Sequence, residues 1–354
     1  GDFTDRSETV QQVIGGKLRW RPSDRVDLHL TAGRNKDESD NFLGDVFLDT
    51  FSTNRDSATL QGDFGIAQDQ LLTVGLDWLR DEVSGTIDYA ESERDNNAAF
   101  VQYQGKFGEQ SLEASVRNDD NQQFGNHTTG SAAWGLGFAE NWRVTAGYGT
   151  AFKAPTFNEL YFPFFGNPNL EPEESKTWEL GLAFRGETFN AHLDTFSTDV
   201  DDLIAFDISV NLPNNVDKAR IRGAELSADT VLADWTIAGA ISYVDTENRS
   251  GFFEGNELAR RAKNSARLDV DRAFGAFRVG MTAVGEGSRY DDVANSRRLG
   301  GFGTLDLRAE YAFTSALSLQ ARLANVFDRD YETVAFYNQP GREWYLTLRY
   351  APVE

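Results

Sequence analysis

The chain's only imidazoles are His29, His127 and His192, and it has no cysteine. Thiolate catalysis, thiolate metal ligation and disulfides are thereby excluded, and none of the histidines stands in a recognisable nucleophile or metal arrangement. The carboxylate pairs Asp119-Asp120 and Asp201-Asp202 have the residue type for acid/base chemistry but no neighbouring base, and solvated acidic surface is the better reading. A different chemistry is offered by Asn35-Lys36-Asp37-Glu38-Ser39-Asp40-Asn41-Phe42-Leu43-Gly44-Asp45-Val46-Phe47-Leu48-Asp49. Several carboxylates on one flexible loop can converge on a hard cation, since calcium takes about six to eight oxygens. The spacing is no EF-hand, so a solvated acidic loop is the competing reading. Phe162, Phe164, Phe165, Tyr337 and Asn338 sit on polar connections, from which they could reach a large, flat ligand or pack within their own loops. Binding is expected of this chain, and catalysis is not.

The elements that must carry these residues are strands. Leu317-Ser318-Leu319-Gln320-Ala321-Arg322-Leu323 places leucines and alanine on one face and serine, glutamine and arginine on the other, a period of two. The stretches from Val26 to Ala32, Leu72 to Trp78, Leu112 to Arg117 and Trp142 to Tyr148 read the same way. A soluble sandwich also alternates, so the connections decide. Short ones fall near Pro22-Ser23-Asp24, Ala67-Gln68-Asp69, Phe107-Gly108-Glu109, Glu140-Asn141, Gly186-Glu187, Ala233-Asp234, Ala273-Phe274-Gly275 and Thr314-Ser315. Between them lie polar segments at about 37–55, 82–95, 119–128, 153–172, 206–216, 247–258, 287–300 and 327–340. Short turns at one end and long loops at the other predict an all-β, antiparallel up-and-down barrel across a membrane. Counting strands between connections gives about seventeen, an odd number, whereas bacterial single-chain barrels close with an even one. Either early strands are missing or the count is off by one.

Composition agrees. The formal charge of -22, from 34 Lys plus Arg against 56 Asp plus Glu, argues against a nucleic-acid partner. No apolar run is long enough for a transmembrane helix, and a barrel strand needs only one apolar face, so a mean hydropathy of -0.49 is compatible with a membrane protein. No linker or composition shift divides the 354 residues. Trp20, Trp78, Tyr103, Trp142, Tyr148, Trp178, Trp235, Tyr243, Trp344 and Tyr350 lie near expected strand ends, as an interfacial aromatic belt would place them.

From Tyr148 the chain reads Tyr-Gly-Thr-Ala-Phe-Lys-Ala-Pro-Thr-Phe-Asn-Glu-Leu-Tyr, followed by Phe-Pro-Phe-Phe-Gly-Asn-Pro-Asn-Leu-Glu-Pro-Glu-Glu. Pro155, Pro163, Pro168 and Pro172 deny this segment ladder donors, so it must be a loop of fixed shape. With Gly166 to Glu173 as its core, the segment resembles the barrel signature of the TonB-dependent outer-membrane receptors. Asn215 to Glu225, Leu323 to Tyr331 and Gly341 to Trp344 extend the likeness in order along the C-terminal two hundred or so residues. Within the family the likeness is strongest to its cobalamin (vitamin B12) receptors, through Arg117 to His127, Asp202-Leu203-Ile204, Arg260-Arg261-Ala262-Lys263 and Asp328 to Val334.

The resemblance implies a bacterial cell outer-membrane location, among lipid and lipopolysaccharide, and a 22-stranded barrel of which residues 1–354 form the C-terminal part. It implies a lumenal plug reached by TonB, which is absent from this sequence, and active import of cobalamin or a related corrinoid. It also assigns candidate calcium ligands at Asp37, Asp40 and Asp45 and a corrin contact at Arg260, at the outward end of a strand opposite Phe252, Phe253 and Glu254; the competing reading of Arg260 is a wall arginine paired with a lumenal carboxylate. No redox cofactor is implied. A siderophore or haem receptor and a passive porin are the alternatives.

Overall fold

The computed structural model describes residues 6–207 and 210–352. In chain order the elements are β1 (Arg6–Ser23), β2 (Val26–Leu43), β3 (Val46–Ala67), β4 (Gln70–Gly85), β5 (Glu93–Phe107), β6 (Gln110–Asn121), β7 (Gly125–Phe138), β8 (Trp142–Lys153), α1 (Phe157–Tyr161), β9 (Glu173–Arg185), β10 (Phe189–Asp207), β11 (Leu212–Leu232), β12 (Trp235–Asn248), β13 (Asn264–Phe274), β14 (Phe277–Glu286), β15 (Arg289–Tyr290), β16 (Arg298–Leu299), β17 (Phe302–Ala312), β18 (Leu317–Ala324), β19 (Glu332–Val334), β20 (Tyr337–Asn338) and β21 (Glu343–Tyr350). Seventeen of the strands form one sheet, and β15–β16 and β19–β20 are separate two-stranded ribbons within long connections. The expected strand count is therefore met, and the expected short turns separate the strands where the sequence places them. Backbone chemistry explains the turns: Asp69, Gly108, Ala139, Ala233, Asp234 and Gly275 all have positive φ, the left-handed conformation that tight hairpins need.

Three of the expected long loops are strand instead. Residues 37–55 form the ends of β2 and β3 around a two-residue turn, with Asp37 opposite Thr53 and Asp40 opposite Thr50. Residues 119–128 close on a turn of three residues between β6 and β7, and 206–216 fall largely in β10 and β11. These stretches are rich in Asp, Asn, Ser and Thr, which read as loop in the sequence, yet the strands extend into them. About 9–11 tilted residues cross a bilayer; β3, with 22 residues, extends well beyond it. The same excess places Trp78, Tyr148, Trp178 and Tyr243 inside strands rather than at their ends.

By backbone proximity the chain divides into two compact units. The first comprises Gly1–Gly135, Gly147–Thr177 and Val200–Val216. On one face of its strands Leu30, Leu60, Leu76 and Ala99 lie in register, and the three leucines are 47%, 53% and 58% exposed, which is the face for lipid. On the other face Thr59 donates to Asp77, which also accepts from Arg117, and Arg117 reaches Asp119. The second unit comprises Leu136–Ala146, Trp178–Asp199 and Asp217–Glu354. There Leu319, Ala321 and Leu323 face Leu348, Leu346 and Trp344 across the ladder. The opposite face carries Arg308 on Asp271 at 2.9 Å and Arg322 on Asp306 at 2.6 Å. Among the described residues no helix is long and apolar enough to cross a membrane; the crossing elements are the strands.

Candidate functional site

The three aspartates expected to gather calcium do not share a loop. Asp37 and Asp40 lie three residues apart on β2, so their side chains leave opposite faces of the strand, and Asp45 lies in the turn beyond. Asp37 accepts from Gln11 Nε2 at 2.9 Å, and Asp40 accepts from the Thr50 hydroxyl. Among the described residues no three His, Asp or Glu side chains are grouped as a metal site. The arrangement therefore does not fit the implied ion.

What the first unit does build is a cavity of about 670 Å³. Its floor is the polar face of β1 to β5, including Asp37, Arg55 and Asp81, and its lid is the segment around α1. The α1 turn starts because the Thr156 hydroxyl accepts from the Glu159 amide while Glu159 returns a bond to the Thr156 amide at 2.7 Å, a reciprocal cap. It buries Leu160 and Phe157, and Leu170 is buried as well. The glycine of the Gly166 to Glu173 block is required here, because a β-carbon on Gly166 would sit 2.6 Å from the Leu160 carbonyl oxygen. Asn167 then donates to the Pro213 carbonyl at 3.0 Å, and Asn215 both accepts from the Glu171 amide and donates to the Glu171 carbonyl, each at 3.0 Å. The loop is thus pinned to the start of β11, which gives its proline-rich shape a fixed position.

Phe162 caps α1 and Phe165 follows, their rings 6.3 Å apart, and Phe162 also meets Tyr89 edge-on. Phe164 points out, 95% exposed, on a backbone of positive φ. Tyr89 was not foreseen. It donates to Asn158 at 2.6 Å, and burial, reinforced by the charge of Asp49, raises its pKa. Arg94 was missed as well. It lines the cavity, lies over Phe157 at 5.1 Å and Phe124 at 5.8 Å, and donates through Nη1 to the Pro155 carbonyl at 2.9 Å. Pro155 and Phe157 are far from it in sequence, so no local pattern marks it.

In the second unit Arg260 is not at a strand end but within the connection from β12 to β13. Its Nε donates to Asp291 at 2.9 Å, its amide donates to the Tyr290 carbonyl at 2.6 Å, and its φ is +61°. Arg260 thus has a carboxylate partner, as the competing reading expects, but both residues lie in connections and not in the barrel wall. Asp291 also accepts from the Ala335 amide at 3.3 Å, so one carboxylate joins three connections. Asn295 adds a second tie, accepting from the Glu257 amide at 2.8 Å and donating to the Glu257 carbonyl at 2.9 Å. Tyr337 and Asn338 form the short strand β20 rather than an open loop, and Tyr337 is 61% exposed. Beside them Phe336 is 79% exposed, with Arg297 over its ring at 4.5 Å. Asp292, next to the hub, would be raised by burial. The Ser296 and Arg297 amides, donating at 3.0 and 2.7 Å, outweigh this and hold its pKa below the ordinary value.

The histidines act as structural partners. His29 lies 3.4 Å from both Asp27 and Asp63, His127 stacks on Phe152 and His192 pairs with Asp194 at 2.9 Å. The arrangement as a whole offers pinned loops, outward aromatics and a polar strand face, which can bind and guide a solute.

The chain is 35% identical over 353 residues to the vitamin B12 transporter BtuB of Photobacterium profundum, a match covering 98% of this chain and 58% of the relative. It therefore spans less than two thirds of that relative's length. Among solved structures, the copper transporter OprC superimposes with a TM-score of 0.79 at 19% identity, over 96% of this chain and 64% of that one. The siderophore receptor PiuA from Acinetobacter baumannii gives 0.80 at 17% identity, over 97% and 64%. At such identities these two share the fold alone. Residues 2–326 match the family described as TonB dependent receptor-like, beta-barrel, and the chain belongs to that family of bacterial outer-membrane β-barrels.

Proposed function

We propose that this chain is barrel wall of an outer-membrane transporter that takes up cobalamin, driven through TonB. The observation that carries the substrate is the 35% identity to a vitamin B12 transporter along 98% of the chain. The pinned loops support the reading physically: binding a large ligand orders whatever touches it, and loops already held by Asn215, Asn295 and Asp291 have less freedom left to lose. The chain's residues bind and guide; they break no bond. Coupling to TonB would act through parts of the receptor beyond this segment.

The test is equilibrium binding of cyanocobalamin to the complete receptor in outer-membrane vesicles, with and without calcium, against ferric siderophores as competitors. Submicromolar, saturable cyanocobalamin binding that siderophores do not displace is expected. Tight binding of a ferric siderophore with no cyanocobalamin binding would leave the family and remove the substrate.

A further inference from the structure

Arg94 stands out in the first unit because it is partly covered and has no ion pair among the described residues; Lys17, Arg25, Lys106 and Lys176 also have none but are exposed. Asp81, the acid nearest to it across the ladder, is engaged by Arg55, whose Nε donates at 2.6 Å and Nη2 at 2.9 Å. Lys153, also on the cavity, pairs with Glu173 at 3.2 Å. Asp37 is held by Gln11, and Glu82, which also lines the cavity, makes no ion pair with Arg94. Arg94 itself spends only Nη1, on the Pro155 carbonyl and on Gln123 at 3.4 Å; its Nε and Nη2 have no partner among the described residues. A half-buried guanidinium left without a counter-charge costs stability, and the rings of Phe157 and Phe124 against it only partly offset that cost. In a chain of formal charge -22, a partly covered arginine without an ion pair of its own among the described residues is a donor still open to an anionic partner.

We propose that Arg94 is the recognition site for an anionic oxygen group of the ligand, held by the free edge of the guanidinium while an adjoining ring system rests on the aromatic side of the cavity. Arg is suited to this because its donors form a planar fork that meets two oxygens at once. The identity of the ligand, though not the site, rests on the cobalamin reading. Cobalamin carries a phosphodiester next to an aromatic base, and cobinamide keeps the corrin but lacks both.

Binding to the complete receptor is measured for three probes, with the unaltered protein and with Arg94→Gln and Arg94→Lys. Phenyl phosphate, a small aromatic phosphate ester, should bind the unaltered receptor and lose that binding in R94Q. Cyanocobalamin affinity should fall about ten- to a hundred-fold in R94Q, as expected when a hydrogen-bonded charge is lost, with partial recovery in R94K, while cobinamide affinity stays unchanged. Limited proteolysis of residues 154–172 reports whether the loop has kept its shape. Equal weakening of cyanocobalamin and cobinamide would make Arg94 a loop anchor and overturn the proposal, as would no change for any probe. If phenyl phosphate binding needs Arg94 but cyanocobalamin does not bind at all, the site stands and the cobalamin reading falls.

Discussion

Asp291 shows how one residue can govern several loops. Arg260 is more than half exposed, and a pair of that kind is worth about 0–1 kcal/mol. Asp291 is well covered and also holds the Ala335 amide, whose loss would add about 1–3 kcal/mol if the amide is left unpaired. Asp291→Ala should therefore loosen the connections more than Arg260→Ala. Limited proteolysis should show faster cleavage in 325–342 for D291A, with little change for R260A and no change in the thermal unfolding of the strands. Equal effects from the two variants would show that the hub is the ion pair alone. Arg260 was visible in the sequence as an arginine beside a loop. Its true partner lies 31 residues on, in another connection, and only the folded chain brings the two together. Arg94 was hidden for the same reason, since Pro155 and Phe157 reach it from beyond three intervening strands.

Elements were readable wherever local chemistry decides them. The hairpin turns are set by residues that tolerate positive φ, such as Asp69, Gly108 and Asp234, and by the alternation that flanks them, so their positions follow from the sequence. The ends of β2 and β3 are set by the continuing ladder, and their polar residues read as a loop. Between these extremes is the turn at Asp292, where the residue that shapes the element is titratable. Its folded pKa lies below the ordinary 3.8, so its carboxylate contributes stability that is fully present above that value and is lost as the pH falls through the lower, folded one. Hydrogen exchange at the Ser296 and Arg297 amides should be well protected at pH 5 and above, relative to intrinsic rates, and lose protection only below about 4. Asp292→Asn should remove much of that protection at neutral pH. Protection unaffected by both acid and D292N would mean that the backbone alone holds the turn.

For the whole molecule, the decisive property is that each strand carries two solvents on its two faces. Leu60 is 53% exposed on the face it shares with Leu30 and Leu76, whereas its neighbour Gln61 donates to Asp63 at 2.9 Å on the polar face. The two positions differ by one residue and by the medium they meet. A cation placed at mid-bilayer costs about 2–4 kcal/mol, while on the polar face it can use carboxylates that are already present. Leu60→Arg should therefore cost about 2–4 kcal/mol in urea-dependent folding into lipid vesicles. Gln61→Arg should cost less than about 1 kcal/mol, because its guanidinium can still donate to Asp63. A soluble sandwich, with water on its outer face, would reverse the ranking: arginine at the more exposed Leu60 would be the milder change. The order of these two variants thus tests whether the apolar face of β3 meets lipid, and with it the assignment of the strands as the membrane-crossing elements.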